Sequence, residues 1–287
     1  MKRIVILVGP PGAGKSTLSK QYVAEGYTRV NTDDQGKDGQ RKVFEAAVAE
    51  GSDIVVDRMN FNLDQRNKYL PLAKQNGYAT EIIVLHESFS TCLYRMSLRQ
   101  DHPTIKDEKT ARIALDFFFK SYERPMSDEA GKVEFRYPEG YKPLAVWSDL
   151  DGTLCECEHR RHFVRGEGKK DWKGFFGAMA EDTVNKPVMD ILKALSEDYK
   201  IVYCSGRPDN YMNITQRWLT THMAPSGHLF MRSRSDQRSD NIVKEILLDF
   251  EVLTRFTPYF FLDDRDQVVQ MLRGRGFKVF QVAEGAF

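Results

Sequence analysis

The stretch RIVILVGPPGAGKST, residues 3–17, decides the fold of the first half of the chain. Its opening apolar run, 3–8, has the length of a buried strand, and residues 14–25 have the spacing of a helix. Between them, Gly9 to Ser16 fits the pattern G-x-x-x-x-G-K-[ST], in which glycines let successive backbone N–H groups curl around phosphate oxygens. A strand, a phosphate-binding loop and a helix in this order predict an α/β domain that binds a nucleoside triphosphate.

Beyond this stretch, strand-like and helix-like segments alternate along both halves of the chain. In the first half, further apolar runs predict strands at 27–31, 53–57 and 80–86. The segment 136–145 holds two prolines and a glycine without periodicity, so we predict a linker there, after which the alternation begins again. We therefore predict two α/β domains, residues 1–137 and 138–287, each a mainly parallel sheet with helices on both faces.

Composition excludes several classes of protein. Of the 287 residues, 41% are hydrophobic and 29% are charged, which is typical of a globular protein and not of a disordered one. No apolar run reaches the ~18 residues of a membrane-spanning helix, and the N-terminus does not have the pattern of a signal peptide. The cysteines suggest no disulfide framework and suit a reducing compartment; they are Cys92, Cys155, Cys157 and Cys204. These features predict a cytoplasmic protein that does not act at a membrane.

The charge distribution bears on the substrate. Because the net charge is only +1, a polyanionic substrate has to be bound by locally basic surface and not by the field of the whole protein. Two segments are locally basic, HRRHFVRGEGKK (159–170) and MRSRSDQRSDN (231–241). Charge clusters of this size commonly form solvated faces, so a purely structural explanation stays open.

The predicted nucleotide site combines the phosphate loop with the ends of the strands that follow it. Lys15 is expected to reach the β- and γ-phosphates of ATP, and Ser16 to ligate Mg²⁺. Asp33 follows the second predicted strand and could take the proton from an attacking hydroxyl, although a turn or helix cap explains Asp33-Asp34 equally well. The loop residues expected to bind ATP are Gly9, Gly12, Gly14, Lys15, Ser16 and Thr17.

Three more residues of the first half are candidates. Asp57 closes the third predicted strand at the same edge of the sheet, where it could orient Mg²⁺ or the acceptor. Arg95 and Arg99 are one helical turn apart, so both could fold over the phosphates as a lid. Surface arginines are common, so spacing alone leaves the lid undecided.

In the second half, polar side chains fall at the ends of successive predicted strands and in one helix between them. In chain order they are Asp149, Asp151, Ser205, Gly206, Arg207, Lys244, Asp263 and Asp264. Because the carboxyl ends of parallel strands meet at one edge of a sheet, we expect these side chains to share one crevice.

This set suits a phosphatase with a covalent intermediate. Asp149 would attack phosphorus and form an acyl-phosphate, while Asp151 would protonate the leaving oxygen and later deprotonate water. Mg²⁺ would neutralise the converging negative charges. The expected metal ligands are Asp149, Asp151, Asp263 and Asp264, and the expected phosphate-binding residues are Ser205, Gly206, Arg207 and Lys244.

Beside this crevice lie four side chains of metal-ligating type, Cys155, Cys157, His159 and His162. Their spacing is not that of a usual zinc site, and no second half supplies matched ligands. We therefore interpret the segment as a basic flap over the crevice, with His159, Arg160 and Arg161 facing the substrate.

The motifs of both halves together resemble a known family. DLDGTL (149–154), CSGR (204–207), the lysine of NIVKE (241–245) and FLDDRDQVV (261–269) resemble the acylphosphatase motifs of the haloacid dehalogenase superfamily. A P-loop kinase placed before such a domain resembles the bacteriophage polynucleotide kinase–phosphatases. The resemblance runs from the phosphate loop to the closing VFQVAEGAF.

The resemblance implies an enzyme that transfers the γ-phosphate of ATP to 5′-hydroxyl ends of RNA or DNA. It also implies removal of 3′-phosphates, including 2′,3′-cyclic ones, upstream of a ligase, and a homo-oligomer. By position, Asp33 matches the general base and Arg99 the lid arginine, with Arg95 beside it. Asp149 matches the phosphatase nucleophile, and Asp151 its acid–base partner.

Two positions depart from the family's pattern. Thr32 and Gly36 stand where the family has arginines, the second of which holds the acceptor's phosphate; Lys37 or Arg41 could substitute. The altered loop keeps a fused small-molecule kinase and phosphatase open as an alternative, acting on nucleosides or sugars. A third reading, an ATP-dependent binding module without turnover, is disfavoured by the two intact catalytic sets.

Overall fold

The computed structural model describes residues 2–98, 107–165 and 168–285. The chain divides into two compact units, Met1–Glu139 and Gly140–Phe287. This division falls close to the predicted boundary between residues 137 and 138. Among the described residues, no helix is both long enough and apolar enough to cross a membrane.

The first unit is built on a wholly parallel sheet with the strand order β2-β3-β1-β4-β5. Its strands are β1 (Arg3–Val8), β2 (Thr28–Asn31), β3 (Ile54–Asp57), β4 (Ala79–Leu85) and β5 (Lys132–Arg136). Its helices are α1 (Lys15–Ala24), α2 (Thr32–Glu50), α3 (Leu63–Arg66), α4 (Leu70–Gln75), α5 (Phe89–Ser97) and α6 (Glu108–Ser121).

The apolar run of β1 explains why this strand lies at the centre of the sheet. Ile4 to Val8 are fully buried, which requires cover on both faces. Val5 and Leu7 pack with the apolar side chains of α1, and the intervening residues point to the opposite face because side chains alternate along a strand. Burying each such side chain contributes about 1.5–3 kcal/mol.

The second unit contains another wholly parallel sheet, with the strand order β10-β9-β6-β11-β12, and a small antiparallel pair, β7-β8. Its strands are β6 (Leu144–Ser148), β7 (Cys155–Glu156), β8 (Thr183–Val184), β9 (Lys200–Pro208), β10 (Gly227–Arg232), β11 (Thr257–Asp263) and β12 (Val279–Gln281). Its helices are α7 (Trp172–Gly177), α8 (Lys186–Leu195), α9 (Met212–Thr221), α10 (Asp240–Leu247) and α11 (Asp266–Gly274).

Helices cover both faces of this second sheet. In β6, Val146 belongs to the cluster that contains Val188 of α8 and Trp218 of α9. Its neighbour Trp147 belongs to a different cluster, which contains Leu272 of α11. Adjacent residues of β6 therefore pack against helices on opposite faces of the sheet. The polar residues that follow the strands lie at the edge of the sheet.

Two elements of the first unit show how the structure differs from the sequence-based prediction. β5 was not predicted, because KVEFR alternates charged and apolar residues over only five positions at an edge of the sheet. α2 begins at Thr32, although helical spacing is visible only from Gln40 onwards. Gly36 explains this difference, since its φ of 69° interrupts the helix and removes the periodicity from the first turns.

Candidate active sites

The phosphate loop joins the end of β1 to the start of α1, at the centre of the first sheet. Gly12 has a φ of 86°, and a Cβ there would lie 2.7 Å from the backbone oxygen of Cys92, so this position requires glycine. The Nζ atom of Lys15 donates hydrogen bonds to the backbone oxygens of Gly9 and Pro10, each at 2.8 Å. The buried ammonium group therefore lies within the loop, where it can meet a phosphate.

The other predicted ATP-binding residues lie where the loop meets the first turn of α1. Gly14 is the N-cap of α1, and Ser16 and Thr17 lie in the first turn of that helix. Backbone N–H groups at a helix N-terminus favour anions, so all three positions are placed where the sequence predicts ATP phosphates.

Asp57, at the end of β3, is buried and already has partners. In the sheet, its position lies opposite Leu7 of β1. Its Oδ2 atom accepts hydrogen bonds from Ser19 Oγ at 2.9 Å and from Arg29 Nε at 3.0 Å. The structure thus places Asp57 at the predicted edge, next to the helix that follows the phosphate loop, with its charge balanced by Arg29.

The two aspartates that begin α2 differ in their surroundings. Asp34 accepts hydrogen bonds from Arg29 Nη1 at 3.0 Å and from Asn31 Nδ2 at 2.7 Å. Asp33 is exposed, and no ion pair to it is found within the described part of the chain. Both carboxylates are exposed, and Asp33 differs only in having no ion pair in the described part of the chain, so its role as general base stays a prediction.

One of the two predicted lid arginines reaches the phosphate loop. Arg95 Nη1 donates a hydrogen bond to the backbone oxygen of Gly12 at 3.3 Å, and Nη2 lies 2.9 Å from Glu87 Oε2. Its side chain is 46% exposed, so the guanidinium group borders the loop and remains accessible to solvent. Arg99, the other predicted lid residue, lies outside the described residues.

In the second unit, the predicted nucleophile lies in a buried cluster of charges. Asp149 directly follows β6 and Asp263 ends β11, and these strands are neighbours in the sheet. Lys244 of α10 lies 2.9 Å from Asp149 Oδ1, and its Nζ donates a hydrogen bond to Asp263 Oδ2 at 2.9 Å. All three side chains are almost completely buried.

The pKa values of the carboxyl groups reflect this burial. Burial raises the pKa of Asp149 to about 7, although the nearby Lys244 opposes the shift. Burial likewise raises the pKa of Asp263 and that of Asp264 to about 6. The one ammonium group therefore does not compensate fully for the buried negative charges.

These carboxylates fit a magnesium ion. One oxygen from each of Asp149, Asp263 and Asp264 lies within 4.8 Å of the others. Oδ2 of Asp264 is buried without a hydrogen-bond partner in the described part of the chain. Carboxylate oxygens are the ligands that Mg²⁺ prefers, and the excess negative charge would stabilise a cation.

Mg²⁺ binding to this cluster should therefore weaken as the pH falls. The cation binds the ionised carboxylates, and protons compete for them once the pH drops through about 7 for Asp149 and about 6 for Asp264. We expect the affinity measured by calorimetry without ATP to fall roughly tenfold per pH unit per displaced proton. Equal affinity at pH 8 and pH 6 would contradict the assignment, and Asp264→Asn should weaken binding at both values.

The side chain of Asp151 lies outside this cluster, in a separate group with Cys155 and Asp182, so its role as a metal ligand stays a prediction. Its carboxylate accepts hydrogen bonds from Arg207 Nε at 3.0 Å and from Arg160 Nη2 at 2.5 Å. Burial alone would raise the pKa of Asp151, but these two guanidinium groups hold it well below its usual range. Asp151 is thus an ionised carboxylate that two arginines orient.

The same network corrects the predicted orientation of Arg160. Its side chain is fully buried and donates hydrogen bonds to Asp182 from Nε at 2.6 Å and from Nη2 at 2.7 Å. Arg160 therefore anchors the segment after β7 and does not face the substrate, whereas Arg161 does line the cavity above the site. Asp182 and Arg160 are 22 residues apart, so sequence spacing offered no signal for this pair.

Ser205, Gly206 and Arg207 lie in β9, the neighbour of the strand that Asp149 follows. Ser205 and Gly206 line the cavity, whereas Arg207 is buried and paired with Asp151 and Asp182, so phosphate binding by these residues stays a prediction. A Cβ on Gly206 would lie 2.2 Å from Oδ1 of Asp240, a buried carboxylate that the sequence reasoning did not single out. Asp240 Oδ2 is 3.4 Å from Lys244 Nζ. Their i, i+4 spacing on one helix was the signal that could have revealed Asp240.

Gly152→Ala should impair the phosphatase site more than a strained backbone alone would. Gly152 has a φ of 87°, and a Cβ there would lie 2.2 Å from Asp264 Oδ2. We expect a loss of about 1–3 kcal/mol in unfolding free energy, together with displacement of the Asp264 carboxylate. Thermal unfolding and the Mg²⁺ affinity of the cluster measure the two effects.

Gly276→Ala is the matched control, because Gly276 has a φ of 85° but no atom within 4 Å of an added Cβ. It should reproduce the backbone cost and leave Mg²⁺ binding intact. Equal effects of the two substitutions on Mg²⁺ affinity would show that the contact with Asp264 is unimportant.

Asp149 connects the cluster to a cavity of about 660 Å³. Asp149, Asp151 and Asp240 line it together with eight arginine and lysine side chains. Both predicted basic segments contribute, among others through Arg165 and Arg234. The basic stretches therefore surround the site and are not merely solvated faces. The candidate metal ligands Cys155, Cys157, His159 and His162 do not form a common cluster in the described part of the chain.

Comparisons with known proteins agree with both halves. The model of the polynucleotide kinase PNKP phosphatase domain matches residues 143–287, and a model of the AAA domain matches residues 4–125. The bifunctional polynucleotide phosphatase/kinase of Schizosaccharomyces pombe is 29% identical over 130 residues, which cover 45% of this chain and 31% of that protein. A protein of Acanthamoeba polyphaga mimivirus, provisionally given the same name, is 27% identical over 131 residues, with the same coverage.

The chain spans about a third of the length of these curated relatives. A chain in the structure of a Pnkp1/Rnl/Hen1 RNA repair complex is 26% identical, with a TM-score of 0.43, and the comparison covers 100% of this chain and 97% of that one. Because the phosphatase-domain model matches half of the sequence, including every residue of the buried cluster, the chain belongs to the family of polynucleotide kinase PNKP phosphatase domains.

Proposed function

We propose that this chain is a bifunctional enzyme that repairs nucleic-acid ends. In this proposal the second unit hydrolyses 3′-phosphates, and the first transfers the γ-phosphate of ATP to 5′-hydroxyl groups. The observation that carries the proposal is the buried cluster of Asp149, Asp263, Asp264 and Lys244, whose Asp149 lines a basic cavity. A buried aspartate beside a lysine suits phosphoryl transfer to a carboxylate, and basic side chains around the cavity suit a polyanionic substrate.

In the second unit, Asp149 would attack the phosphorus atom, and the bond to the 3′ oxygen would break. Lys244 favours the ionised, nucleophilic form of Asp149 and stabilises the negative charge that develops on the phosphate. Mg²⁺, when bound, would neutralise charge between the carboxylates and the phosphate. Asp151 would take a proton from the water that hydrolyses the aspartyl-phosphate, and its arginine partners keep it ionised for this step. To protonate the leaving oxygen, Asp151 would first have to take up a proton from solvent, which requires at least one of its ion pairs with Arg207 and Arg160 to loosen.

In the first unit, the phosphate loop would hold the ATP phosphates, with Lys15 against the transferred group. Ser16 would be a ligand of the Mg²⁺ that accompanies ATP, and Asp33 would accept the proton of the attacking hydroxyl. Arg95 would stabilise the developing charge from the side of α5. Asp57 would act by ordering Arg29 and Ser19 around the site.

The proposal also covers partners. The substrates would be RNA or DNA ends in the cytoplasm, the product ends would suit a nucleic-acid ligase, and the chain would work as a homo-oligomer.

The experiment that tests the activity uses matched RNA and DNA oligonucleotides with 5′-hydroxyl and 3′-phosphate ends, incubated with ATP and Mg²⁺. Analysis of both termini should show one phosphate gained and one lost. Unchanged termini would contradict the proposal.

The fused small-molecule kinase and phosphatase remains the second candidate because of one observation. Gly36 breaks α2 at a φ of 69° and has no side chain with which to hold an acceptor phosphate. A competition assay between a free nucleoside and an oligonucleotide end decides between the two. Phosphorylation of the nucleoside at an equal rate would favour the small-molecule enzyme.

A further inference from the structure

The cavity above Asp149 has an aromatic wall that the proposed chemistry does not use. The rings of Trp172 and Phe176, both in α7, are stacked, with centroids 5.9 Å apart and an interplanar angle of 23°. The ring of Tyr211 continues the row, 5.3 Å from that of Phe176. All three side chains line the cavity, and Trp172 is 48% exposed.

The neighbouring Phe175 shows what a structural aromatic residue looks like in this helix. It is only 8% exposed, and the guanidinium carbon of Arg160 lies 4.1 Å from its ring centroid. Phe175 also lines the cavity but is nearly buried against the arginine network, whereas Trp172 lines it with about half of its surface exposed, 48%. The exposed ring surface is available to a flat apolar ligand.

Positive charges that form no ion pair in the described part of the chain line the same cavity, and the Nζ atom of one of them, Lys170, lies 5.8 Å from the centroid of the Trp172 ring. Lys170, Lys173 and Arg234 are exposed there, and the described part of the chain contains no ion pair to any of the three. Other arginines of the cavity are neutralised, as Arg232 is by Asp240 at 3.2 Å. A ligand that combines flat rings with several separate negative charges would satisfy both features, and a nucleic-acid strand has this chemistry.

Resting on the phosphatase activity proposed above, we propose that Trp172, Phe176 and Tyr211 form a stacking platform for the bases that precede the 3′-phosphate. Lys170, Lys173 and Arg234 bind the phosphates that join these nucleotides. The cavity of about 660 Å³ lies within the range of ~300–1,000 Å³ that is usual for ligand sites. Because every base has a π face, the platform accepts any sequence but requires unpaired nucleotides.

Turnover on two matched substrates tests the platform. One is a single-stranded oligonucleotide with a 3′-phosphate, and the other is the same strand without the base on its last nucleotide. The wild type should prefer the first in kcat/KM by roughly 5- to 150-fold, the range expected for stacking of one base. Trp172→Ala should remove most of this preference by slowing only the base-bearing substrate, and Trp172→Phe should restore much of it.

Tyr141→Ala is the control, because Tyr141 is a 93% exposed aromatic residue that does not line the cavity. It should leave the preference unchanged. If Trp172→Ala slowed both substrates equally, Trp172 would have only a structural role. If it slowed neither, or if the wild type showed no preference, the platform would be excluded.

A binding measurement separates this inference from the proposed activity. In the Asp149→Asn background, a 3′-phosphorylated strand with 2-aminopurine as its last base should lose fluorescence on binding, since stacking quenches this base. Adding Trp172→Ala should abolish the quenching. A wild type that releases no 3′-phosphate while the quenching depends on Trp172 would refute the activity but support the platform. Quenching that is independent of Trp172 would refute the platform itself.

Discussion

Asp149→Asn should abolish release of 3′-phosphate from an oligonucleotide while 5′-phosphorylation continues at the rate of the wild type. The amide has nearly the shape of the carboxylate but no charged oxygen that can attack phosphorus. Loss of a nucleophile from enzymes with covalent intermediates lowers turnover on the order of 10⁴–10⁶-fold. Gel analysis of both ends of one oligonucleotide measures the two reactions in a single sample.

This substitution should not unfold the second unit. Burial raises the pKa of Asp149 to about 7, so its negative charge is poorly accommodated without a cation, and an amide removes that charge. Lys244 keeps Asp263 and Asp240 as partners at 2.9 Å and 3.4 Å. The melting temperature should therefore stay at or above that of the wild type in the absence of Mg²⁺.

Asp190→Asn is the matched control for Asp149→Asn. Asp190 is an exposed carboxylate of α8, and Lys186 is its one ion-pair partner in the described part of the chain, so its loss should change neither activity. Phosphatase activity that survives in Asp149→Asn would place the nucleophile elsewhere. Loss of both activities would indicate an effect on the whole chain.

The convergence of the phosphatase residues could be predicted because of a simple property of parallel sheets. Asp149 follows β6, Ser205 lies near the end of β9 and Asp263 ends β11, and strand ends of the same direction meet at one edge. The alternation of strands and helices was enough to predict this meeting. The strand order, which makes β6 central and β9 and β11 its neighbours, required the structure.

Buried charges were much harder to predict than strand ends. Arg160 was interpreted as facing the substrate because it stands in a basic run, but its partners Asp151 and Asp182 lie 9 and 22 residues away in the chain. A charged side chain is buried when distant partners compensate for its loss of hydration, and local sequence does not contain those partners. The stacked rings of α7 escaped prediction for a related reason, since a six-residue helix has no measurable periodicity.

The first unit was predicted in a different way, through one contiguous motif. The phosphate loop requires only local backbone geometry, so a strand, a glycine-rich connection and a helix could be predicted there, and the structure has β1, that connection and α1, which begins at Lys15. Binding of the 5′-hydroxyl acceptor depends on residues beyond the loop. The break of α2 at Gly36 and the hydrogen bonds of Asp57 to Ser19 and Arg29 could not be predicted from the sequence and required the structure. The proposed kinase activity of the first unit is therefore tested most directly by substituting Lys15.

Lys15→Ala should produce the opposite separation of activities, with 5′-phosphorylation reduced by roughly 10²–10³-fold or more and 3′-phosphate release unchanged. The ammonium group is the only positive side chain seen inside the described phosphate loop, and its loss removes charge from the place where the transferred phosphate develops negative charge. The backbone oxygens of Gly9 and Pro10 would also lose their donor, at a cost of about 1–3 kcal/mol to the first unit. Release of the 3′-phosphate from the same oligonucleotide is therefore the internal control that the variant protein is folded.

Lys20→Ala, on the exposed side of the same helix, is the control and should leave both activities intact. If Lys15→Ala reduced both reactions, the two sites would depend on each other, and if it reduced neither, the loop would not be the site of transfer. The double variant with Asp149→Asn decides whether the activities are independent. It should show each single defect unchanged in size, because the proposed reactions take place at opposite ends of the strand and share no residue.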